Sequence, residues 1–361
     1  MADLNTILDS REAIGALDKS NMLGSVEALH KQLPQAWEET QSLSFTPTAK
    51  IEQVVLAGMG GSALGGDVIK TLYKSELKVP FDIVRDYSLP VYTSEHTLVI
   101  LASYSGTTEE VVAAAHEAIE KKAQVMVIAA GGTLIEMAKE HGWTYYQINP
   151  THNPSGQPRM AIGYAVFGTI CLLSKAGLLS LTKQEVDQVS AIIQKTVAAS
   201  GVEVSQDVNP AKLLAYTMFD KRPIFVVAGF LEGAGHVVCN QTNENAKAYA
   251  DYKVIPELNH HLMEGLRFPA SNSATHVFVF INSPLYHPRH QARMKLTQKI
   301  VEENHIETMM LELNSETKLE QVFETIALVG FAGFYLSMIE GIDPSPIPFV
   351  DKFKVELGKV A

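Results

Sequence analysis

Hydrophobic positions change their period several times along the chain, and the changes mark out its elements. Leu23, Val26, Leu29, Leu33 and Trp37 recur at three- and four-residue spacing, which predicts an amphipathic helix over 22–37. From residue 54 the pattern switches to short unbroken apolar runs, each followed by a helical stretch. Val54–Ala57 leads into a helix near Ser62–Tyr73, and Asp82–Asp86 and Thr97–Ser103 read as strands, the second feeding a helix over Glu109–Lys121. Gln124–Ala130, Leu134–His141 and Trp143–Ile148 continue as strand, helix and strand. Continuous apolar strands alternating with helices imply a parallel sheet covered on both faces.

Three prolines and a glycine in Asn149–Pro158 interrupt this pattern, and Arg159 opens an apolar helix running to about Gly177. Lys183–Ser200 is amphipathic, and 201–210 is polar enough to read as a linker. A second alternating block follows. Pro223–Ala228 and His276–Asn282 repeat the placement of Val54–Gly61 and Leu98–Ser103, so the chain reads as two copies of one α/β unit. The chain closes on a proline-punctuated turn, Asp343–Pro348, and a short helix over Val350–Leu357. The expected division is a helical segment 1–45, a first domain 46–200, a linker 201–210 and a second domain 211–361.

Bulk properties narrow the function. With 361 residues, two domains are expected. A net charge of −11 argues against general nucleic-acid binding, which needs a basic footprint. The two cysteines, Cys171 and Cys239, sit in apolar stretches and read as buried thiols. The N-terminus is acidic with no apolar h-region. Ala161–Leu181 and Val322–Gly341 are apolar, but charge interrupts or flanks them, so they read as core helices; no membrane contact and a cytoplasmic location are expected.

Candidate chemistry gathers at two turns. In Val54–Asp67 (VVLAGMGGSALGGD) an apolar run stops at Gly60 and Gly61 and resumes as a helix at Ser62. In Ser103–Glu110 (SYSGTTEE) the hydroxyls of Ser103, Ser105, Thr107 and Thr108 crowd around Gly106. A strand ending in such a turn before a helix leaves backbone N–H groups for an anion, and two of them on neighbouring parallel strands face one pocket. The glycine turn alone fits a dinucleotide turn with Asp82 or Asp86 as its acidic residue, a sugar-phosphate turn, or plain strand–helix packing. The hydroxyl-rich bend favours a monophosphate, against an ordinary capped helix with Ser105 as N-cap. Arg159 is either a surface cation or one held over the pocket to stabilise developing negative charge. Glu244, between Asn243 and Asn245 in a helix expected to begin from the Gly233–Gly235 turn, suits a general base or a solvated face. His260 and His261 lack metal-ligand spacing, and Lys352 and Lys354 read as a solvated helix face.

Taken together, GMGGS, SYSGTTEE, PRMA, NENAK, PELNHHLMEG and DPSPIPFVDKFKVEL resemble, in order and spacing, the bacterial and archaeal bifunctional phosphoglucose/phosphomannose isomerases. That resemblance runs from about residue 50 to the C-terminus. It implies two sugar isomerase (SIS) domains, each a doubly wound parallel sheet with flanking helices, and interconversion of glucose 6-phosphate, and mannose 6-phosphate too, with fructose 6-phosphate through a cis-enediolate. It further implies phosphate binding by Gly60, Gly61, Ser62, Ser103, Ser105 and Thr108, with Glu244 as the base and Arg159 as the enediolate's cation. His260, supplied by a neighbouring subunit, and Lys354 assist ring opening, which implies a homodimer with a shared active site. No metal and no organic cofactor are implied. Thr107 stands where the family often has asparagine; His261 stands where asparagine commonly follows the ring-opening histidine, which leaves His260 and His261 able to exchange roles; and Ile347 stands near the position of a family threonine linked to tolerance of both epimers, for which Ser345 is the nearby substitute. Two rival readings are a non-catalytic SIS sugar-phosphate sensor, which needs neither Glu244 nor Arg159, and an NAD(P)-dependent oxidoreductase using the glycine turn.

Overall fold

A computed structural model describes residues 7–360 of the chain. Residues 1–6, the start of the predicted 1–45 segment, and residue 361 lie outside the described residues.

Helices α1 (Arg11–Leu17), α2 (Met22–Glu27) and α3 (Leu29–Thr40) lead the chain, so the helix expected over 22–37 is two helices meeting at Ala28. Pro34 lies inside α3, where its missing N–H frees the carbonyl of His30. The Ser190 hydroxyl donates to that carbonyl at 2.8 Å.

The first sheet comprises β1 (Gln53–Gly58), β2 (Phe81–Val84), β3 (Thr97–Ala102), β4 (Gln124–Ala129) and β5 (Thr144–Gln147), interleaved with α4 (Gly60–Leu72), α5 (Glu109–Glu120) and α6 (Thr133–His141). All strands are parallel, in the order β2-β1-β3-β4-β5. Within the unbroken apolar runs the period-two rule still sorts the two faces. Val55, Ala57, Val99, Leu101 and Val127 pack with residues of α5 and α6, while Val54, Leu56, Leu98, Ile100 and Ile128 join the main core.

α7 (Ile162–Lys175), α8 (Lys183–Ser200) and α9 (Pro210–Met218) lead to a second sheet, whose elements are β6 (Arg222–Ala228), α10 (Glu232–Gln241), β7 (Asp251–Ile255), α11 (Asn272–Thr275), β8 (His276–Asn282), α12 (Pro288–Glu303) and β9 (Glu307–Glu312). Its strands are also parallel, in the order β7-β6-β8-β9. The architecture is thus two parallel-sheet α/β units. α13 (Lys318–Ile339) and α14 (Pro348–Leu357) close the chain. α13 is long and apolar enough to cross a membrane by length and composition, but 89% of its apolar window is buried inside the protein. It is a core helix, opened by the capping box Thr317–Glu320.

The glycine-rich stretch is where the two halves meet. A Cβ on Gly65 would lie 2.9 Å from the Ala165 carbonyl oxygen of α7, and one on Gly66 3.2 Å from the Leu56 side chain of the sheet. A Cβ on Gly233 of α10 would come within 2.5 Å of the Asp67 backbone of α4. Gly233 and Gly235 therefore lie inside α10, which begins at Glu232, and not in a turn preceding it. The lack of a side chain at Gly233 lets α4 and α10 approach closely, and at Gly235 it lets α10 settle on Val227 of β6.

Candidate active site

In each sheet the strand order reverses between two adjacent strands, β1/β3 and β6/β8, and a crevice opens beyond their carboxyl ends at such a point. At the first crevice the two singled-out turns stand side by side. Gly60 begins α4 with φ of 48°, and the Tyr104 N–H donates to Ser62 Oγ at 2.9 Å, joining the glycine turn to the hydroxyl bend. Ser103, 1% exposed, receives the Gly106 N–H on its hydroxyl at 3.1 Å and shares a 2.7 Å hydrogen bond with Thr108 Oγ1. Ser105 Oγ accepts from Thr107 N and Thr107 Oγ1 at 3.3 and 3.1 Å. The N-cap of α5 is Thr108, not Ser105, and it makes no side-chain bond to the first turn. The leading amides of α5 are thereby left for an anion.

Gly106 sets the shape of the bend. Its φ is 70°, and a Cβ there would lie 1.7 Å from the Gly131 carbonyl oxygen. Gly106→Ala is therefore expected to displace the bend, lowering stability by ~1–3 kcal/mol and raising the KM for a sugar phosphate. Denaturant melts and initial rates on the variant check this.

The second crevice lacks such a bend for a visible reason. After β8, Ser283 O accepts from Tyr286 N at 3.2 Å, as Ser103 O accepts from Gly106 N at 3.0 Å after β3. Tyr286 thus stands where Gly106 stands. Its ring is buried, and its hydroxyl accepts from Ala228 N at 3.0 Å and donates to Ile281 O at 3.2 Å. A tyrosine fills the second cradle.

The second half instead contributes a carboxylate to the first crevice. Arg159 is 2% exposed and sits in a 3-10 turn, Pro158–Met160, ahead of α7. A Cβ on Gly61 would lie 3.2 Å from Arg159 Cα, so the glycine turn abuts this residue directly. The guanidinium donates through Nε to Asn245 Oδ1, through Nη1 to Gln157 Oε1 (2.9 Å) and Glu244 Oε2 (3.4 Å), and through Nη2 to the Pro344 and Ser345 carbonyls (both 2.9 Å). Gln241 Nε2 donates to its carbonyl at 2.9 Å. Glu244 belongs to a π-helical turn, Thr242–Ala246, that extends α10, and such turns concentrate at functional sites. Burial raises its pKa above the ordinary carboxylate range, while Arg159, Lys247 and Lys354 pull it back. Burial and the neighbouring Arg159 lower the Lys247 ammonium to about 8. Lys247 Nζ donates to the Glu244 carbonyl and, at 2.8 Å, to the Pro344 carbonyl.

The structure therefore joins Gly60, Gly61, Ser62, Ser103, Ser105, Thr108, Arg159 and Glu244 through one continuous run of contacts. Lys354, exposed on α14, lies within electrostatic reach of Glu244. His260 is not joined to this cluster. It is exposed at the end of a 3-10 turn and has no side-chain hydrogen bond or ion pair among the described residues. Gln157 and the Pro344–Ser345 carbonyls were not singled out from the sequence, and backbone acceptors leave no side-chain signature there. Asp82, a candidate acidic partner of a dinucleotide turn, accepts from Tyr92 Oη at 2.5 Å and pairs with Lys70. Among the described residues no group of three or more His, Cys, Asp or Glu is assembled to hold a metal. Cys171 and Cys239 are free and buried.

Comparison with known proteins identifies relatives over most of the chain. The bacterial phospho-glucose isomerase C-terminal SIS domain matches residues 207–357, and the SIS domain matches residues 49–155. The bifunctional phosphoglucose/phosphomannose isomerase of Caldicellulosiruptor bescii is 30% identical over 342 residues, covering 94% of this chain and 99% of the relative. Its counterpart in Aquifex aeolicus is 27% identical over 93% of this chain and 98% of its own. Among solved structures, the C-terminal domain of a glucosamine-fructose-6-phosphate aminotransferase from Francisella tularensis superposes with a TM-score of 0.69 at 12% identity, covering 90% of this chain and 98% of that one. This last likeness is one of fold.

Proposed function

The chain belongs to the bifunctional phosphoglucose/phosphomannose isomerase family, and from that premise we propose how its residues act. It is an aldose–ketose isomerase, interconverting glucose 6-phosphate, and mannose 6-phosphate as well, with fructose 6-phosphate. The hydroxyl bend and the first amides of α5 grip the phosphate. Glu244 removes the proton from C2, whose electron pair forms the C1–C2 double bond as the C1 carbonyl electrons move onto O1; a proton passes from O2 to O1, and the double bond takes the first proton back at C1 as O2 forms the C2 carbonyl. Charge that develops on the enediolate oxygens is met by the Arg159 cluster. Anchoring the remote phosphate holds C1 and C2 against the base, which is where binding energy becomes rate.

The single observation that carries this reading is the contiguity from bend to base. Tyr104 N reaches Ser62, Gly61 abuts Arg159, and Arg159 reaches Glu244, an unbroken run of contacts that supports a shared site for the anion cradle and the carboxylate. A base with a raised pKa beside a buried cation suits a proton taken from carbon at neutral pH.

Lys354 and His260 open the sugar ring in this proposal. The position of Lys354 near Glu244 supports the first role; the exposure of His260, with no side-chain partner among the described residues, supports its delivery to a neighbouring subunit's crevice in a homodimer. The sugar isomerase units extend over 46–200 and 211–361, and the enzyme serves cytoplasmic hexose-phosphate metabolism, in glycolysis and gluconeogenesis.

A coupled assay offering glucose 6-phosphate and mannose 6-phosphate separately, with neither metal nor nucleotide added, tests the reading. Fructose 6-phosphate is expected from glucose 6-phosphate and from mannose 6-phosphate alike. No product from either sugar would overturn it.

A further inference from the structure

A guanidinium carries five N–H donors and no acceptor. In Arg159 all five are already engaged: one at Nε by Asn245, two at Nη2 by the Pro344 and Ser345 carbonyls, and two at Nη1 by Gln157 and Glu244. Asn245 and Ser345 are buried, whereas Gln157 and Glu244 are both partly exposed. Arg159 thus has no spare N–H to give a substrate oxygen. The cation is buried behind a layer of its own acceptors.

One of those acceptors is itself a donor on its other side. Because Nη1 can only donate, the Gln157 atom facing it must be the amide oxygen, and this fixes the orientation of the amide. The Gln157 Nε2 group then carries two hydrogens with no protein partner among the described residues. The Gln157 main chain is pinned: its carbonyl accepts from Asn153 Nδ2 at 2.9 Å and from Met160 N at 3.0 Å, and Pro158 follows it. A hydrogen bond from a cation onto an amide oxygen also strengthens the N–H groups of that amide as donors.

Resting on the reading of this crevice given above, we propose that Gln157 Nε2 donates the hydrogen bond to the enediolate oxygen, with Arg159 acting behind it as a positioning and polarising residue. Gln157 and Glu244 share Arg159 Nη1, so donor and base are set side by side and face the same substrate carbons. The oxygen that gains charge as Glu244 takes the C2 proton meets a neutral amide whose oxygen is already bound to the cation. This placement needs no donor to be released from Arg159 during turnover.

Gln157→Ala tests the assignment with two probes. D-Glucitol 6-phosphate has the phosphate and hydroxyls but no developing charge, whereas 5-phospho-D-arabinonohydroxamate presents a planar pair of oxygens like the enediolate. The expected result is a fall in kcat of ~10²-fold with little change in KM, matched by a similar loss of hydroxamate affinity and unchanged glucitol 6-phosphate affinity. Gln157→Glu, which keeps an acceptor for Arg159 but removes the donor, is expected to behave the same way. Wild-type kcat in Gln157→Ala would overturn the proposal, and so would equal weakening of both probes, which marks a structural role. Failure of the wild-type enzyme to bind glucitol 6-phosphate would instead strike at the sugar-phosphate reading, so the two failures are distinguishable.

Discussion

Glu244→Gln is expected to lower kcat by ~10²–10⁴-fold while leaving sugar-phosphate binding nearly intact. Glutamine keeps the size of the side chain and an oxygen for Arg159 Nη1, so the link between the two halves survives. It cannot accept a proton from carbon. In the proposed site the phosphate is anchored by the bend around Ser103 and Thr108, which has no hydrogen bond to Glu244 among the described residues. Exchange of the C2 hydrogen of glucose 6-phosphate with heavy water reads the proton transfer, and calorimetry with glucitol 6-phosphate reads the anchor. Exchange at the wild-type rate would remove Glu244 as the base. The same assignment fixes a pH limb. The ionised carboxylate is the active form and burial raises its pKa, so kcat/KM falls as pH drops through a value above the ordinary carboxylate range.

The first sheet was legible because its strands are buried on both faces, so runs such as Val54–Ala57 and Leu98–Ala102 carry no polar interruption. β7 and β9 were missed. They are the edges of the second sheet, and sequences such as DYKVI and ETMMLE, largely half-buried, have the mixed polarity of a surface loop. The hydroxyl bend was legible from Ser103–Glu110 since its groups are local: hydroxyls and amides within a few residues of one helix start. The pairing of Arg159 with Glu244 was not, because it spans 85 positions and depends on how α4 and α10 pack through Gly233. Nor did spacing foretell the π-turn carrying Glu244, which widens the helix by a main-chain adjustment. Only the resemblance to a family, read through NENAK and PRMA, placed the two residues in one site. That the second crevice is filled by the ring of Tyr286 is visible only in the fold, because its partners Ala228 and Ile281 lie on two different strands.

Arg159→Lys is expected to cost both stability and rate. Lysine keeps the charge but has three donors on one nitrogen, against five acceptors spread around a planar guanidinium. At least two acceptors lose their partner. Most of the candidates are buried: the Asn245 side chain, the Ser345 carbonyl and the Pro344 carbonyl, the last still receiving Lys247. Orphaning two buried acceptors costs ~2–6 kcal/mol at ~1–3 kcal/mol each, which denaturant melts will resolve. The rate falls for a different reason. Gln157 loses the partner that fixes its amide, and the Glu244 turn loses one of the bonds that hold it to the first half. A fall in kcat of ~10²–10³-fold is therefore expected, with KM less affected because Arg159 makes no hydrogen bond to the Ser103–Thr108 bend among the described residues. Wild-type stability and turnover in Arg159→Lys would mean that a point charge suffices at this position. The arrangement of five directed bonds would then be incidental to both folding and catalysis.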